Sequence, residues 1–281
     1  MAGAYERSIM NNKEVPVCVL KAEGTNCDRE TKYAFDSAKA LDSINASPRI
    51  TLLSELKEKE QNLKDYKILV LPGGFANGDY GGGAGRIFGL YLTEYLKDQM
   101  LEFKEKGGLI LGICNGFQIL LRTGLLPFGK VGDIQAALDQ NDSGHFECRQ
   151  VNLKVEANNK CVFTEGMESP VSYQVAHGEG KFFTDPRTLK EIEDNNLVVF
   201  RYCNVEGNPT QEYPINPNGA LNAIAGITDP SGRILGLMPH PERAVQETQY
   251  PNWRKQRIIG KPIKPQGLQI FENMVNYVKQ M

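Results

Sequence analysis

Three residue groups in this chain have the types and spacing of an acyl-transfer site. The first is Gly112-Ile113-Cys114-Asn115-Gly116-Phe117-Gln118, which follows Leu109-Ile110-Leu111 and leads into Ile119-Leu120-Leu121. An apolar strand, a Gly-x-Cys-x-Gly turn and a helix make the cysteine form of a nucleophile elbow, which lifts the nucleophile at the C-terminal edge of a sheet. The flanking glycines are needed because a Cβ at either position would collide in so tight a turn. A thiol at a helix N-terminus also meets the positive end of the dipole, which favours the nucleophilic anion. A buried cysteine at an ordinary strand-helix junction would carry the same glycines; the apolar strand before and the helix after favour the elbow.

A cysteine nucleophile needs a base, and the chain has three histidines. His240 lies in Met238-Pro239-His240-Pro241-Glu242, directly after an apolar run. Prolines on both sides predict an extended backbone, which would put His240 and Glu242 on one side. A carboxylate there can hold one imidazole nitrogen and leave the other for a thiol, the nucleophile-base-orienter logic of a triad. His177, in Ala176-His177-Gly178-Glu179-Gly180, also follows a strand-like run and has a carboxylate two residues on. Spacing alone leaves it open as a rival base, although without the proline clamp it reads better as a ligand contact or a turn. His145, between Gly144 and Phe146, reads as a loop residue.

Cys27 is the rival nucleophile, since it too follows a strand and so belongs near the edge where ligands bind. No Gly-x-Cys-x-Gly surrounds it, which makes a structural or site-lining role the better reading. Pro72-Gly73-Gly74-Phe75 closes another strand at that edge. Its N–H groups, with that of Asn115, have the placement of an oxyanion hole; an ordinary Pro-Gly turn is the plainer alternative. The glycine-rich stretch Gly78 to Gly85 matches neither GxxxxGK[ST] nor GxGxxG, which argues against nucleotide binding by this chain and for a mobile loop or docking surface.

The elements that must position these groups alternate through the first half. Val15 to Leu20 reads as a strand, residues 28 to 42 as a helix carrying Ala34, Ala38 and Leu41, Arg49 to Leu53 and Lys67 to Leu71 as strands. Residues 86 to 106 read as one helix with Ile87, Leu90, Tyr91 and Leu101 on its apolar face, and Leu109 to Ile113 as a strand covered on both sides. From about Arg149 the segments shorten: Val151 to Val155, Val171 to Ala176, Leu197 to Cys203. Ala223 to Thr228 and Arg233 to Met238 flank Asp229-Pro230-Ser231-Gly232, which predicts an antiparallel pair. Leu268, Phe271, Met274, Val275 and Val278 predict a final amphipathic helix. The expectation is an α/β fold, one domain across residues 1–281, with a mixed sheet.

Composition bounds the function. The 281 residues carry 32 basic and 34 acidic side chains, a net charge of −2, which leaves no electrostatic footprint for nucleic acid or an anionic membrane. No apolar run approaches the ~18 residues of a membrane span. The N-terminal MAGAYERSIMNNKEV lacks the apolar region of a signal peptide, so the expected location is the cytoplasm. The six cysteines form no CxxC pair, so no zinc or thioredoxin motif is written, no metal is expected, and most should be buried, inert thiols.

Taken together the motifs resemble the class I glutamine amidotransferases and, more narrowly, the glutaminase subunits of phosphoribosylformylglycinamidine synthase. The resemblance rests on Gly24-Thr25-Asn26-Cys27-Asp28, Pro72-Gly73-Gly74-Phe75 with Gly78-Asp79, and Gly112 to Gln118. It continues through Asn141-Asp142-Ser143-Gly144 with Phe146-Glu147, Ala176 to Gly180, and Pro239-His240-Pro241-Glu242-Arg243. It implies a three-layer α/β sandwich around a mostly parallel mixed sheet. It also implies that Cys114 attacks the side-chain amide of L-glutamine, with His240 shuttling the proton and Glu242 orienting it. Gly74 and Asn115 would supply oxyanion N–H groups, and Gln118, Phe146 and His177 would help hold glutamine. The family passes ammonia to a larger synthetase subunit that uses ATP and Mg²⁺, often with a small third subunit, so no cofactor is expected in this chain. Two segments depart from the family pattern, Asn204 to Pro217 and Tyr250 to Gln266, and read as docking insertions. Rival functions are a glutaminase for another acceptor synthetase, a free-standing cysteine hydrolase acting on γ-glutamyl substrates, and a non-catalytic scaffold.

Overall fold

The computed structural model of the chain describes residues 14–38, 45–78, 83 and 85–281. The N-terminal segment, Leu41, Asp79 and most of the glycine-rich stretch lie outside the described residues. Strand β1 (Glu14–Lys21) leads into helix α1 (Asp28–Ser37), then β2 (Asn45–Leu52), the short α2 (Leu53–Lys57) and β3 (Ile68–Leu71). Helices α3 (Arg86–Tyr95) and α4 (Lys97–Glu105) follow, then β4 (Leu109–Ile113), α5 (Asn115–Thr123), β5 (Ala136–Asp139) and β6 (Glu147–Val155). The chain continues through β7 (Val171–His177), β8 (Lys181–Thr184), α6 (Pro186–Asp194), β9 (Val198–Cys203), β10 (Ile224–Thr228) and β11 (Ile234–Leu237). It closes with α7 (Trp253–Ile258) and α8 (Leu268–Gln280).

Nine strands form one mixed sheet in the order β2-β1-β3-β4-β11-β10-β9-β6-β7. From β2 to β11 neighbours run parallel, and from β11 to β7 they run antiparallel. A separate antiparallel pair joins β5 to β8. The parallel strands β3, β4 and β11 are buried at every residue, as continuous apolar runs predict. Helices α1 and α8 pack on each other and on β1, with Phe35 edge-on to Phe271 at 5.0 Å. Helix α5 lies over β3, β4 and β11, and α3 packs against it. This is the expected α/β layering. No helix among the described residues is long and apolar enough to cross a membrane.

Several local expectations need correction. The first helix stops at Ser37, with Ala38 as an extended cap. The span 86 to 106 is two helices, broken at Leu96. Its inner face is also not the one anticipated: Ile87, Leu90 and Tyr91 are exposed, whereas Phe88, Gly89 and Leu92 are buried. Glycine explains this, because a Cβ at Gly89 would stand 2.8 Å from Cβ of Arg122 on α5, and one at Gly85 would stand 2.7 Å from the Ile119 nitrogen. The helix docks through its small residues, so its larger ones are left outside. Strands β5 and β8 and helix α6 escaped the sequence reading altogether.

Candidate active site

The C-terminal ends of β3, β4 and β11 bring the sequence motifs together. Cys114 sits between β4 and α5 with φ 52° and ψ −106°, left-handed backbone that a residue with a Cβ rarely adopts. Its N–H donates to the Leu237 carbonyl at 2.8 Å, which ties the turn to β11. Added methyl groups show why glycines flank it: a Cβ at Gly116 would lie 1.8 Å from the Leu71 carbonyl oxygen, and one at Gly112 2.6 Å from the Gly116 oxygen. The Cys114 thiol donates to the Ala176 carbonyl at 3.7 Å, on β7.

His240 follows β11, and its N–H donates to the Gln174 carbonyl at 2.8 Å, which fixes it against β7. Its Nδ1 donates to Oε1 of Glu242 at 2.6 Å, and both side chains are wholly buried. The contact is not made by extended alternation as the prolines suggested. Pro241 opens a 3₁₀ turn through Arg243, and that turn folds Glu242 back onto the imidazole. The carboxylate acceptor keeps a proton on Nδ1, which leaves Nε2 as the ring nitrogen open to proton exchange. Nε2 is buried and has no hydrogen-bond partner. Burial alone would lower the imidazole pKa, but the Glu242 carboxylate and the neighbouring Cys114 and Cys27 thiols hold it well above the usual value.

Gly73 marks where these groups converge. A Cβ there would lie 2.9 Å from Cε1 of His240, 3.2 Å from Sγ of Cys27 and 3.3 Å from Cβ of Cys114. At Gly74, φ is 132° and a Cβ would strike Oδ1 of Asn26 at 2.3 Å, so only glycine can bring that peptide to the cysteine. Cys27 is the residue before α1, almost fully buried, and burial pushes its thiol up to about 11. It therefore sits beside His240 and stays a neutral thiol at neutral pH, unlike an activated nucleophile.

These residues open into a cavity of about 350 Å³ lined by Asn26, Cys27, Gly74, Phe75, Cys114, Gln118, Phe146, Ala176, His177, Gly178, Glu179, His240 and Arg243. Glu242 and Asn115 stand behind the lining. Phe146 is half-exposed at the rim. Gln118 is engaged at both ends of its amide: Nε2 donates to the Glu179 carbonyl at 2.7 Å, and Oε1 accepts from Nδ2 of Asn115 at 3.1 Å. It thus pins the 177–180 turn to α5. His177 makes an Nδ1 contact of 3.1 Å to Oδ1 of Asn141, which also accepts from Gly180 N–H. That acceptor assigns the proton to Nδ1 and leaves the buried Nε2 an unpartnered acceptor. Burial and the nearby His240 lower the His177 pKa to about 3, so it stays neutral.

Sequence reasoning outside the family motifs missed two supports. Asn141 holds the 177 turn by donating from Nδ2 to the His145 and His177 carbonyls, at 2.8 Å each. Arg243 pairs with Glu30 at 2.9 Å and donates to Sγ of Cys27 at 3.3 Å. Its position directly after Glu242 was the available signal. Of the departing segments, 250–266 contains the exposed α7 and is anchored by Gln266, whose Oε1 accepts from the Ser172 N–H of β7 at 2.9 Å. Segment 204–217 contributes Gln211, Tyr213, Asn216 and Pro217 to a second cavity, beside Asp142 and His145.

Residues 14–278 match the CobB/CobQ-like glutamine amidotransferase domain family. Phosphoribosylformylglycinamidine synthase subunit PurQ of Methanococcus maripaludis is 42% identical over 276 residues, covering 94% of this chain and 98% of that protein. The PurQ subunit of Dehalococcoides mccartyi is 41% identical over 268 residues, covering 95% and 99%. Among solved structures, PurLQS from Thermotoga maritima contains a chain that superposes with a TM-score of 0.68 at 32% identity, over 94% of this chain and 98% of that one.

Proposed function

The chain belongs to the CobB/CobQ-like glutamine amidotransferase family, and from that premise we propose that it is the glutaminase subunit of a phosphoribosylformylglycinamidine synthase in purine biosynthesis. It hydrolyses L-glutamine to glutamate and passes the ammonia to a synthetase subunit. That partner uses ATP and Mg²⁺ to convert formylglycinamide ribonucleotide to formylglycinamidine ribonucleotide, and a small third subunit completes the complex. The observation that carries the chemistry is the 2.6 Å His240–Glu242 contact beside Cys114 on a strained elbow, at the floor of one cavity.

The proposed steps use these groups in turn. Nε2 of His240 takes the Cys114 proton as sulfur attacks the side-chain amide carbon of glutamine. Negative charge gathers on the amide oxygen and is met by the backbone N–H groups of Gly74 and Asn115. The imidazolium, held by the Glu242 carboxylate, returns its proton to the leaving nitrogen, and ammonia departs from a γ-glutamyl thioester. His240 then deprotonates water, which attacks the thioester and releases glutamate with the thiol restored. His177, Gln118 and Phe146, which line the cavity, help hold the glutamine. The observed interactions of Gln118 make it chiefly a support for the turn that carries His177.

The reading is tested by measuring glutamate release from glutamine with wild type and Cys114→Ser, each with and without the synthetase subunit. Release that needs the partner and disappears in Cys114→Ser supports a partner-gated glutaminase. Equal release without the partner would point to a free-standing hydrolase, and release surviving in Cys114→Ser would overturn the nucleophile.

A further inference from the structure

Cys27 has no step in the reaction above, yet it lies against the catalytic base with an unusual set of neighbours. Sγ of Cys27, a ring nitrogen of His240 and carboxylate oxygens of Glu30 and Glu242 all lie within 4.8 Å of one another. Oε2 of Glu242, a buried atom of this cluster, has no hydrogen-bond partner. One sulfur, one imidazole and two carboxylates are a donor set suited to a zinc-class divalent cation. The four residues come from the start of α1 and the turn after β11, so no short sequence spacing announces them.

We propose that Cys27, Glu30, His240 and Glu242 bind one zinc-class divalent cation on the Nδ1 side of the imidazole, and that the bound cation silences the glutaminase by leaving Nε2, its base nitrogen, protonated. The cation takes the place of the Cys27 thiol proton, which passes to solvent, and of the Nδ1 proton between His240 and Glu242, which moves to Nε2 of the same imidazole; no electron moves. The opposing group is Arg243, whose guanidinium now rests on Cys27 at 3.3 Å and on Glu30 at 2.9 Å. Its side chain is about a quarter exposed, so it has a path to swing towards water. Arg243 then sets the affinity, because the cation must displace a positive charge already seated on two of its ligands.

The site is read without glutamine, so its failure is separable from failure of the proposed reaction. Co²⁺ alone is titrated into the full-length protein, and the thiolate-to-cobalt charge-transfer absorption is followed, with Zn²⁺ competition to confirm a shared site. The expected result is one equivalent bound with a thiolate band that vanishes in Cys27→Ser, persists in Cys114→Ser, and appears at lower cobalt in Arg243→Ala. Zn²⁺ should also inhibit glutamate release at least tenfold less effectively in Cys27→Ser. A band that persists in Cys27→Ser, or that is lost in Cys114→Ser, would move the cation to the nucleophile and overturn the proposal. Absence of any stoichiometric band would overturn it as well.

Discussion

At the residue scale, the proposed chemistry depends on one imidazole being held from behind by a buried carboxylate. Glu242→Gln keeps the shape of that partner and removes its charge, so the His240 pKa should fall and the favoured tautomer be lost. We expect the glutaminase kcat to drop by about two to four orders of magnitude, with KM little changed, measured by steady-state glutamate release. Gly73→Ala places a methyl among His240, Cys27 and Cys114 at 2.9 to 3.3 Å. The expected outcome is loss of most activity with a melting temperature near wild type, since the strain falls on side chains at the cavity floor. His177 offers a stability test with a defined sign. Its folded pKa is about 3, against ~6.5 unfolded. The stability it leaves intact is therefore full above ~6.5 and is lost as pH falls towards 3, by at most about 1.4 kcal/mol per pH unit. Urea unfolding of wild type and His177→Gln between pH 7 and 5 should show a shallower pH slope in the variant.

At the element scale, what was legible followed from strong local signals. The elbow was readable because the apolar run Leu109 to Ile113, two glycines and a following helix all agree. The β10–β11 pair was readable because Asp229 to Gly232 is a turn by composition. Helix α3 was misread because apolar residues occur all around it, so periodicity did not choose a face; the glycines that decide the packing carry no hydrophobic signal. The His240–Glu242 contact was foreseen from spacing, but for the wrong reason, since the turn after Pro241 makes it. Helix α6 was missed although it bears its own signature: Asp185 caps Arg187 and Thr188 N–H groups, and Pro186 opens the helix. The α1–α8 layer provides the energetic test. Phe271 is fully buried and packs edge-on to Phe35, so Phe271→Ala should destabilise the protein by about 3–5 kcal/mol, as measured by chemical denaturation.

At the scale of the whole molecule, the sheet divides the work. Its parallel half delivers Cys27, Gly73, Gly74 and Cys114 to one edge. The antiparallel half brings Ala176 and His177 across to meet them, and β11, where the two halves join, carries His240. Five of the six cysteines are buried and all are free thiols, yet only Cys114 and Cys27 act on His240. The elbow motif announces Cys114, whereas the place of Cys27 beside His240 is a property of the folded sheet and of no local motif. The central claim is that Cys114 forms a covalent γ-glutamyl intermediate. Its most direct test is acid quenching of the enzyme, in complex with the synthetase subunit, during turnover of labelled glutamine, followed by mass mapping of the trapped adduct. The account predicts a γ-glutamyl thioester on the peptide containing Cys114 and none in Cys114→Ser; an adduct on the Cys27 peptide, or one that survives in Cys114→Ser, would contradict it.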